Sequence, residues 1–401
     1  MSMVHFDPFD YDFHEDPYPT YKRLREEAPC YHNSELEFWA LSRHADVLAG
    51  FKDSDLFSNS KGVALEQVTD NAESALFILG MDPPRQQKFR GLVSKAFTGR
   101  RVDELEQRIR KIARSHAARA VEGGECDYVG DFAGKLPMDV ISEMLGVPEG
   151  DRDELRAQAD LVMHRADGTR EIPNESAAAS LELITYYVDF VKARRRSTGD
   201  GLVDALLTAT VDGERLTDEQ VISFLFLMTI AGNETTTKLL ANAVYWLAKN
   251  PEQRRLVEAD RSRIPQWIEE TLRFDNSSQI LGRVATRDVE LHGETICEGG
   301  RVLLLVGAAN RDPAVFEDPD RFDLTRDCTE FVSFGKGVHF CLGARLARLE
   351  GLIGLETALE FFPNYQVDDS SLVRVHNTNV RGFASMPITF DSGGDPGGDV
   401  R

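Results

Sequence analysis

One cysteine in a glycine-rich loop is the strongest chemical feature of the sequence. Residues 334–343 read Phe-Gly-Lys-Gly-Val-His-Phe-Cys-Leu-Gly and deliver Cys341 to the start of a predicted helix. A thiolate at a helix N-terminus is stabilised by the helix dipole and by free backbone N–H groups, and the thiolate is the form that binds metals. Gly335, Gly337 and Gly343 permit a tight turn and a close approach of N–H groups to the sulfur. An isolated cysteine is more often an ordinary buried thiol, but the neighbouring residue types favour a metal ligand.

A second feature interrupts a long apolar segment. The sequence predicts a helix that begins at Thr217, where Thr217 and Gln220 form a capping box, and that runs to Asn250 before a proline. In its middle, residues 231–236 read Ala-Gly-Asn-Glu-Thr-Thr. An interior glycine weakens a helix by roughly 1 kcal/mol, and a buried carboxylate needs a partner. The segment is therefore either a functional site or a kink with a solvated glutamate.

A third feature is a pair of opposite charges on one predicted helix face. Glu270 and Arg273 lie three residues apart, with Glu269 beside them, and an Asp-Arg-Phe segment containing Arg321 follows downstream. Such pairs occur on many exposed helices and contribute only tenths of a kcal/mol. Alone, this pair is weak support for any function.

Taken together, the three features resemble the cytochrome P-450 family in their order and rough spacing, over residues 17–390. The resemblance implies a mainly α fold with a small β-rich subdomain, which holds haem b between the long helix and the cysteine loop. Cys341 is then the proximal ligand of the haem iron. The same resemblance places Phe334 and Gly335 beside the sulfur and brings His339 to a haem propionate.

The resemblance also assigns roles on the other side of the haem. Ala231 and Gly232 make room for dioxygen, and Glu234 and Thr235 form an acid–alcohol pair that delivers protons during oxygen activation. Glu270, Arg273 and Arg321 are expected to form a structural network on the cysteine side, in the pattern of the family's Glu-x-x-Arg motif.

Haem carboxylates need cationic partners when they are partly buried. The resemblance offers Arg283, His339 and Arg90, each of which is otherwise an ordinary surface cation. Family members often carry a histidine four residues before the last of these, but this chain has Gln86, which donates a hydrogen bond and carries no charge. The contact between Gln86 and a propionate is therefore open.

Charge and composition exclude some partners. With 46 Lys and Arg against 67 Asp and Glu, the chain has a formal net charge of −21, which argues against nucleic-acid binding. Basic residues nevertheless occur in two places: Lys336, Arg345 and Arg348 flank the cysteine loop, and Arg100 and Arg101 end another predicted helix. They either receive an acidic protein partner or are solvated helix faces, and the sequence favours neither.

The sequence predicts a cytoplasmic protein without a membrane anchor. Its five cysteines are odd in number and scattered, which argues against a disulfide framework. The N-terminus lacks the basic and apolar segments of a signal peptide. The longest mostly apolar run, residues 221–231, is shorter than the about 20 residues needed to cross a bilayer.

Most of the chain reads as helix, with few strand signals. Amphipathic helices are predicted near 18–27, 103–121, 151–165, 178–196, 252–260 and 343–361. A small sheet is predicted from residues 38–42 and 283–306. We expect one domain over residues 1–390 and a disordered Gly- and Asp-rich tail over 391–401.

The implied reaction is monooxygenation with O2 of an apolar small molecule, and a lipid or terpenoid is the expected kind. No flavin or iron–sulfur motif is present, so the resemblance implies electrons from a ferredoxin and its reductase, docking near Arg345 and Arg348. A monomer is expected. Two alternatives are a peroxide-driven peroxygenase and a non-catalytic haem-dependent ligand binder or sensor; the presence of Glu234 and Thr235 argues against both. The expected substrate contacts are residues 59–79, 161–185, 227, 231, 275–281 and 381–383.

Overall fold

The computed structural model describes residues 4–65, 72–163, 165, 170–196 and 201–391. The predicted tail, apart from Asp391, lies outside these residues. The helices are α1 (Tyr11–Glu15), α2 (Tyr18–Glu27), α3 (His44–Lys52), α4 (Ala72–Leu76), α5 (Arg85–Val93), α6 (Gly99–Asp103), α7 (Glu106–Ala120), α8 (Lys135–Leu145), α9 (Arg152–Met163), α10 (Asn174–Arg194), α11 (Leu202–Thr208), α12 (Asp218–Lys249), α13 (Pro251–Ala259), α14 (Ile264–Phe274), α15 (Val306–Ala309) and α16 (Ala344–Phe361).

Short strands form a minor β-rich part. They are β1 (Cys30–Asn33), β2 (Phe38–Leu41), β3 (Phe57–Ser58), β4 (Glu125–Asp127), β5 (Thr210–Val211), β6 (Glu214–Arg215), β7 (Ile280–Ala285), β8 (Val289–Leu291), β9 (Glu294–Ile296), β10 (Arg301–Leu305), β11 (Gln366–Val367), β12 (Val373–Arg374), β13 (Phe383–Ser385) and β14 (Pro387–Thr389). The largest sheet has the order β1-β2-β10-β7-β3. Within it, β10 runs parallel to β2 and antiparallel to β7, pairing Leu303 with Ala40 and Gly282.

Helix α12 runs through the middle of the fold. Its N-cap is Thr217, and the predicted capping box is present: the Gln220 N–H donates to Thr217 Oγ1 at 3.2 Å, and the Thr217 N–H donates to Gln220 Oε1 at 3.0 Å. At 32 residues the helix is about 48 Å long. Most of its second half is buried, because α7, α8, α14 and α16 pack around the same core. The helix therefore carries side chains at fixed positions through the interior.

Most predicted elements are present with shifted ends. The helix predicted over 103–121 corresponds to α7, which begins three residues later, while the separate short helix α6 ends at Asp103. The helix predicted from residue 178 begins at Asn174, directly after Pro173. The sequence reading did not assign α1, α3, α4, α8, α11 or α15. Among the described residues, no helix is long and apolar enough to cross a membrane.

Candidate active site

A cavity lies between α12 and the cysteine loop. Apolar side chains form most of its wall, and they come from α12, the 334–347 segment, β7 and the residues near 78: Ile78, Leu79, Phe224, Leu227, Met228, Ala231, Leu272, Leu281, Phe334, Leu342 and Leu346. Cys341 and Thr235 both line this cavity. The fold thus brings the two main sequence features to one space.

The cysteine loop has the predicted geometry. The backbone N–H of Cys341 donates to the Phe334 carbonyl at 2.8 Å and closes the loop. Gly335 and Gly337 have φ angles of +66° and +71°, in the left-handed region that favours glycine. A Cβ on Gly337 would lie 2.8 Å from the carbonyl oxygen of Phe51, so this position has no room for a side chain.

The backbone at the start of α16 points N–H groups at the cysteine. The amides of Gly343 and Ala344 hydrogen-bond to the Cys341 sulfur. Burial raises the pKa of the Cys341 thiol, while these amides and the charges of Arg90 and Arg348 lower it in part. A bound cation would compensate the remaining cost of the thiolate in this buried position.

Gly343 serves a different purpose from the one predicted. Its φ is −87°, a conformation that any residue adopts, so the turn does not require glycine there. A Cβ built on Gly343 would meet no protein atom within 4 Å. Gly343 also lines the cavity, so its missing side chain leaves space for a bound group next to the sulfur.

Polar groups without a carboxylate partner face the same cavity. Arg283 is fully buried, and burial lowers its pKa to about 10. Arg90 donates to the Phe340 carbonyl at 2.6 Å. Burial and the charges of Arg283 and Arg90 lower the pKa of His339 to about 3, and its buried Nε2 has no hydrogen-bond partner. No carboxylate of the described residues lies within ion-pair distance of either guanidinium.

Haem fits this arrangement. Its two carboxylates would supply the anions that Arg283, Arg90 and His339 lack, and Cys341 supplies a soft sulfur ligand of the kind that binds haem iron. The amide nitrogen of Gln86 donates one N–H to the Val338 carbonyl at 2.9 Å and keeps a second N–H, so its contact with a propionate stays a prediction. Its Oε1 is buried without a donor, and a carboxylate cannot provide one.

The central segment of α12 faces the cavity with Ala231 and Thr235. The hydroxyl of Thr235 donates to the Ala231 carbonyl at 2.9 Å. Gly232 also lines the cavity, but a Cβ there would point at Ile141 of α8, 3.4 Å away. A methyl group at that distance would make ordinary van der Waals contact with Ile141, so packing against α8 does not require glycine at position 232.

Glu234 is buried behind the cavity wall and is paired. Its exposed fraction is 3%, and its Oε2 lies 3.2 Å from the Nζ of Lys238, which is equally buried. The carboxyl of Asp160, on α9, is within hydrogen-bonding reach of Glu234. Sequence reasoning missed both partners. The i, i+4 spacing of Glu234 and Lys238 was a usable signal, whereas nothing in the sequence indicated Asp160.

A second carboxyl belongs to the cavity and was also missed. Glu350 of α16 lines the cavity, and burial raises its pKa to about 8. Its Oε2 has no hydrogen-bond partner among the described residues. The side chain is therefore a neutral acid at pH 7.

The Glu270–Arg273 pair is present, but the predicted third member is wrong. The pair is fully buried, with 2.7 Å between Nη2 and Oε1. The Arg321 guanidinium is 60% exposed and pairs with Asp323; only its backbone carbonyl accepts from Arg273, at 3.2 Å. The guanidinium that approaches Glu270 is that of Arg326, 3.5 Å from Oε1, because the chain after residue 321 turns back over α14.

Only some of the residues predicted to contact substrate line the cavity. Residues 276–278 and Leu281 line it, as do Leu79 and Leu227, whereas no lining residue comes from the described part of 161–185 or from 381–383. Asp275 and Arg381 instead form a buried ion pair at 2.8 Å. Their charges are satisfied by each other, which removes them from substrate contact.

The arginines next to the loop are ion-paired. Arg345 pairs with Asp103 at 2.8 Å, and Arg348 pairs with Glu269 at 2.6 Å while its guanidinium lies 4.6 Å from the centre of the Phe334 ring. The surface beside the cysteine is therefore less basic than the sequence indicated.

Comparisons with known proteins agree with this site. The family model for cytochrome P450 matches residues 174–389. Mycobacterium tuberculosis cytochrome P450 123 is 54% identical over 389 residues, covering 96% of this chain and 97% of that protein. The vitamin D(3) 25-hydroxylase of Pseudonocardia autotrophica is 37% identical and covers 96% of each chain. The solved structure of CYP109Q5 from Chondromyces apiculatus matches with a TM-score of 0.87 at 33% identity, covering 97% of this chain and 99% of that one. The chain therefore belongs to the cytochrome P450 family of haem-thiolate monooxygenases.

Proposed function

We propose that Cys341 is the axial ligand of the haem iron and that the enzyme oxygenates an apolar small molecule in the cavity beside it. The observation that carries this proposal is that Cys341 and Thr235 line one mainly apolar cavity. Haem bound there supplies the iron chemistry that splits dioxygen, placing one atom in the substrate and releasing the other as water.

The chain's own residues have separable tasks. Arg283, Arg90 and His339 hold the haem carboxylates, and the amides of Gly343 and Ala344 keep the sulfur in its charged form. Apolar residues above Thr235 exclude bulk water and orient the substrate. Glu234 and Thr235 pass protons towards the reacting oxygen, Glu234 from its buried carboxyl and Thr235 from its hydroxyl.

The first test is spectroscopic. Purified protein reduced with dithionite and exposed to carbon monoxide should give a strongly red-shifted Soret band, and Cys341→Ser should abolish it. Cys328→Ser is the matched control, since Cys328 is buried but donates to Glu270 instead. A band that survives in Cys341→Ser would overturn the assignment of the ligand.

For the substrate we propose a lipid-like or terpenoid molecule. The apolar wall formed by Ile78, Phe224, Leu227 and Leu281 suits a hydrocarbon body, and the related 25-hydroxylase is named for vitamin D(3). Titration with sterols, terpenoids and fatty acids should identify ligands by a shift in iron spin state. Isotopically labelled dioxygen should then appear in the product; product formed at the same rate from peroxide alone would favour a peroxygenase.

We further propose a ferredoxin as the electron donor, docking around Cys341. Lys336, Arg345 and Arg348 surround the loop, and Phe340 beside the cysteine is 39% exposed. Arg345→Glu should slow electron transfer and weaken its salt dependence. Arg23→Glu, which also breaks an exposed ion pair, is the matched control. Equal rates for both variants would place the docking site elsewhere.

We propose that the enzyme acts as a cytoplasmic monomer. All five cysteines are free, as a reducing compartment favours. Light scattering of the purified protein should give the mass of one chain, and a stable dimer would contradict this.

A further inference from the structure

Three ionisable side chains form a cluster beside Thr235. Glu234 and Lys238 face each other one turn apart on α12, and their side chains are 4% and 6% exposed. Lys238 is confined by the turn after β12: a Cβ on Gly382 would lie 2.6 Å from its Cβ. A lysine held this tightly keeps its ammonium group near the Glu234 carboxylate, which offsets the cost of burying both charges.

The third member connects the cluster to solvent. Asp160 belongs to the exposed side of α9, yet its carboxyl group turns towards Glu234 and is within hydrogen-bonding reach of it. Two carboxyl groups can share a hydrogen bond only when one of them is protonated. The pair therefore holds one proton that two acids can exchange.

The charges around the pair favour this state. Desolvation of its carboxyl and the neighbouring Glu234 raise the pKa of Asp160 well above its ordinary value, while Lys238 of α12 and Arg156 of α9 lower it in part. The raised pKa of Asp160, with Lys238 only 3.2 Å from Glu234, favours the proton on Asp160.

We propose that Asp160 is the route by which solvent protons reach Glu234, and that Lys238 is a positioning residue that holds Glu234 between Asp160 and Thr235. This inference rests on the monooxygenase reaction and on the role proposed for Glu234. In one cycle the proton moves from Asp160 Oδ to Glu234 Oε, and water then reprotonates Asp160. Glu234 releases its proton towards Thr235 and returns to the carboxylate; no electron moves within the cluster.

The sequence of transfers predicts a specific pH dependence. Asp160 must be protonated to donate, so proton delivery is complete at low pH and falls as the pH rises through the pKa of Asp160. An asparagine at position 160 keeps the shape and can donate a hydrogen bond, but it carries no transferable proton. Asp160→Asn should therefore remove the fall in rate that wild type shows as the pH rises, and it should leave substrate binding unchanged.

The experiment uses the haem-loaded enzyme with its electron donors and one identified substrate. We expect Asp160→Asn to lower product formation by at least about tenfold at neutral pH, a modest effect for the loss of a proton-transfer group. The NAD(P)H that is consumed without forming product should appear as peroxide. KM should stay within twofold, and Asp160→Glu should recover much of the rate. Glu154→Gln, an exposed acid on the same helix, is the matched control.

A second readout does not depend on turnover. Infrared or carbon-13 NMR titration of the resting protein should detect, besides the signal of Glu350, a second protonated carboxyl at neutral pH that is lost in Asp160→Asn and shifted in Lys238→Met. The carbon monoxide spectrum of each variant must match that of wild type, which separates failure of this proposal from loss of the haem site. Wild-type rate, coupling and pH profile in a folded Asp160→Asn, or titration of Asp160 at its ordinary pKa, would overturn the proposal.

Discussion

The hydroxyl of Ser277 donates a hydrogen bond to the backbone carbonyl of Thr235, with 2.7 Å between the two oxygens. Ser277 lies in the 276–278 segment that lines the cavity. The bond joins this segment to α12 at the residue proposed to pass protons. It therefore fixes the position of Thr235 from outside its own helix.

Ser277→Ala should remove this restraint without creating a large cavity. We expect a loss of about 1 kcal/mol in unfolding free energy and a several-fold rise in peroxide released per NAD(P)H consumed. Ser278→Ala is the control, since residue 278 also lines the cavity and, within the described part of the chain, its hydroxyl makes no hydrogen bond to α12. Unchanged coupling in Ser277→Ala, measured beside thermal unfolding, would assign the bond a purely structural role.

Arg283→Met should have opposite effects on the apoprotein and on haem binding. The apoprotein should become more stable by about 1 kcal/mol or more, because a fully buried cation without an anionic partner is costly. Haem affinity, measured by titration of apoprotein, should fall at least about tenfold. Arg301→Met, on the neighbouring strand β10, should instead leave haem affinity unchanged. A loss of apoprotein stability in Arg283→Met would contradict the assignment.

Replacing Arg326 should destabilise the fold more than replacing Arg321, although the sequence predicts Arg321 as the member of the network. Arg321→Ala should cost less than about 1 kcal/mol, as an exposed ion pair does. Arg326→Ala should cost about 2 kcal/mol or more, because its side chain, 11% exposed, lies against buried Glu270. Chemical unfolding of the two variants measures both losses in unfolding free energy. A larger loss in Arg321→Ala than in Arg326→Ala would contradict the prediction.

Asp275 should contribute stability that depends on pH. Burial alone would raise its pKa, but the charges of Arg381 and Arg374 and hydrogen bonds from Tyr18 and Trp246 lower it to about 2. A depressed carboxyl pKa stabilises the fold above the unfolded-state value near 4, and this contribution is lost as the pH falls towards 2. Integrated over that window, it is worth roughly 2 kcal/mol. Asp275→Asn should flatten the unfolding free energy between pH 4 and 2; a slope equal to that of wild type would refute this.

Local features of the site were predictable because they are contiguous in the sequence. The loop around Cys341 depends on Gly335 and Gly337, six and four residues before the cysteine. The start of α12 depends on Thr217 and Gln220, three residues apart. Short-range rules for capping and left-handed turns suffice for both. The same rules do not assign a purpose to Gly343 and Gly232, which depends on what lies beside them in space.

The charge networks were not predictable because their members are distant in the chain. Asp275 and Arg381 are 106 residues apart, and Asp160 and Glu234 lie on separate helices that meet only in the folded protein. A sequence shows which residues carry charge, but not which of them burial will force to pair. For this reason the sequence points to Arg321 as the third member of the network, whereas the fold brings Arg326, five residues later, to Glu270.

The contact between Gly382 and Lys238 constrains how this chain can evolve. A side chain at position 382 would overlap the Cβ, Cγ and Cδ of Lys238, at 2.6, 2.8 and 3.0 Å. A larger residue at 382 is therefore tolerated only with a shorter one at 238, which would also remove the ammonium group from Glu234. The two positions, 144 residues apart by their numbers, should covary among close homologues.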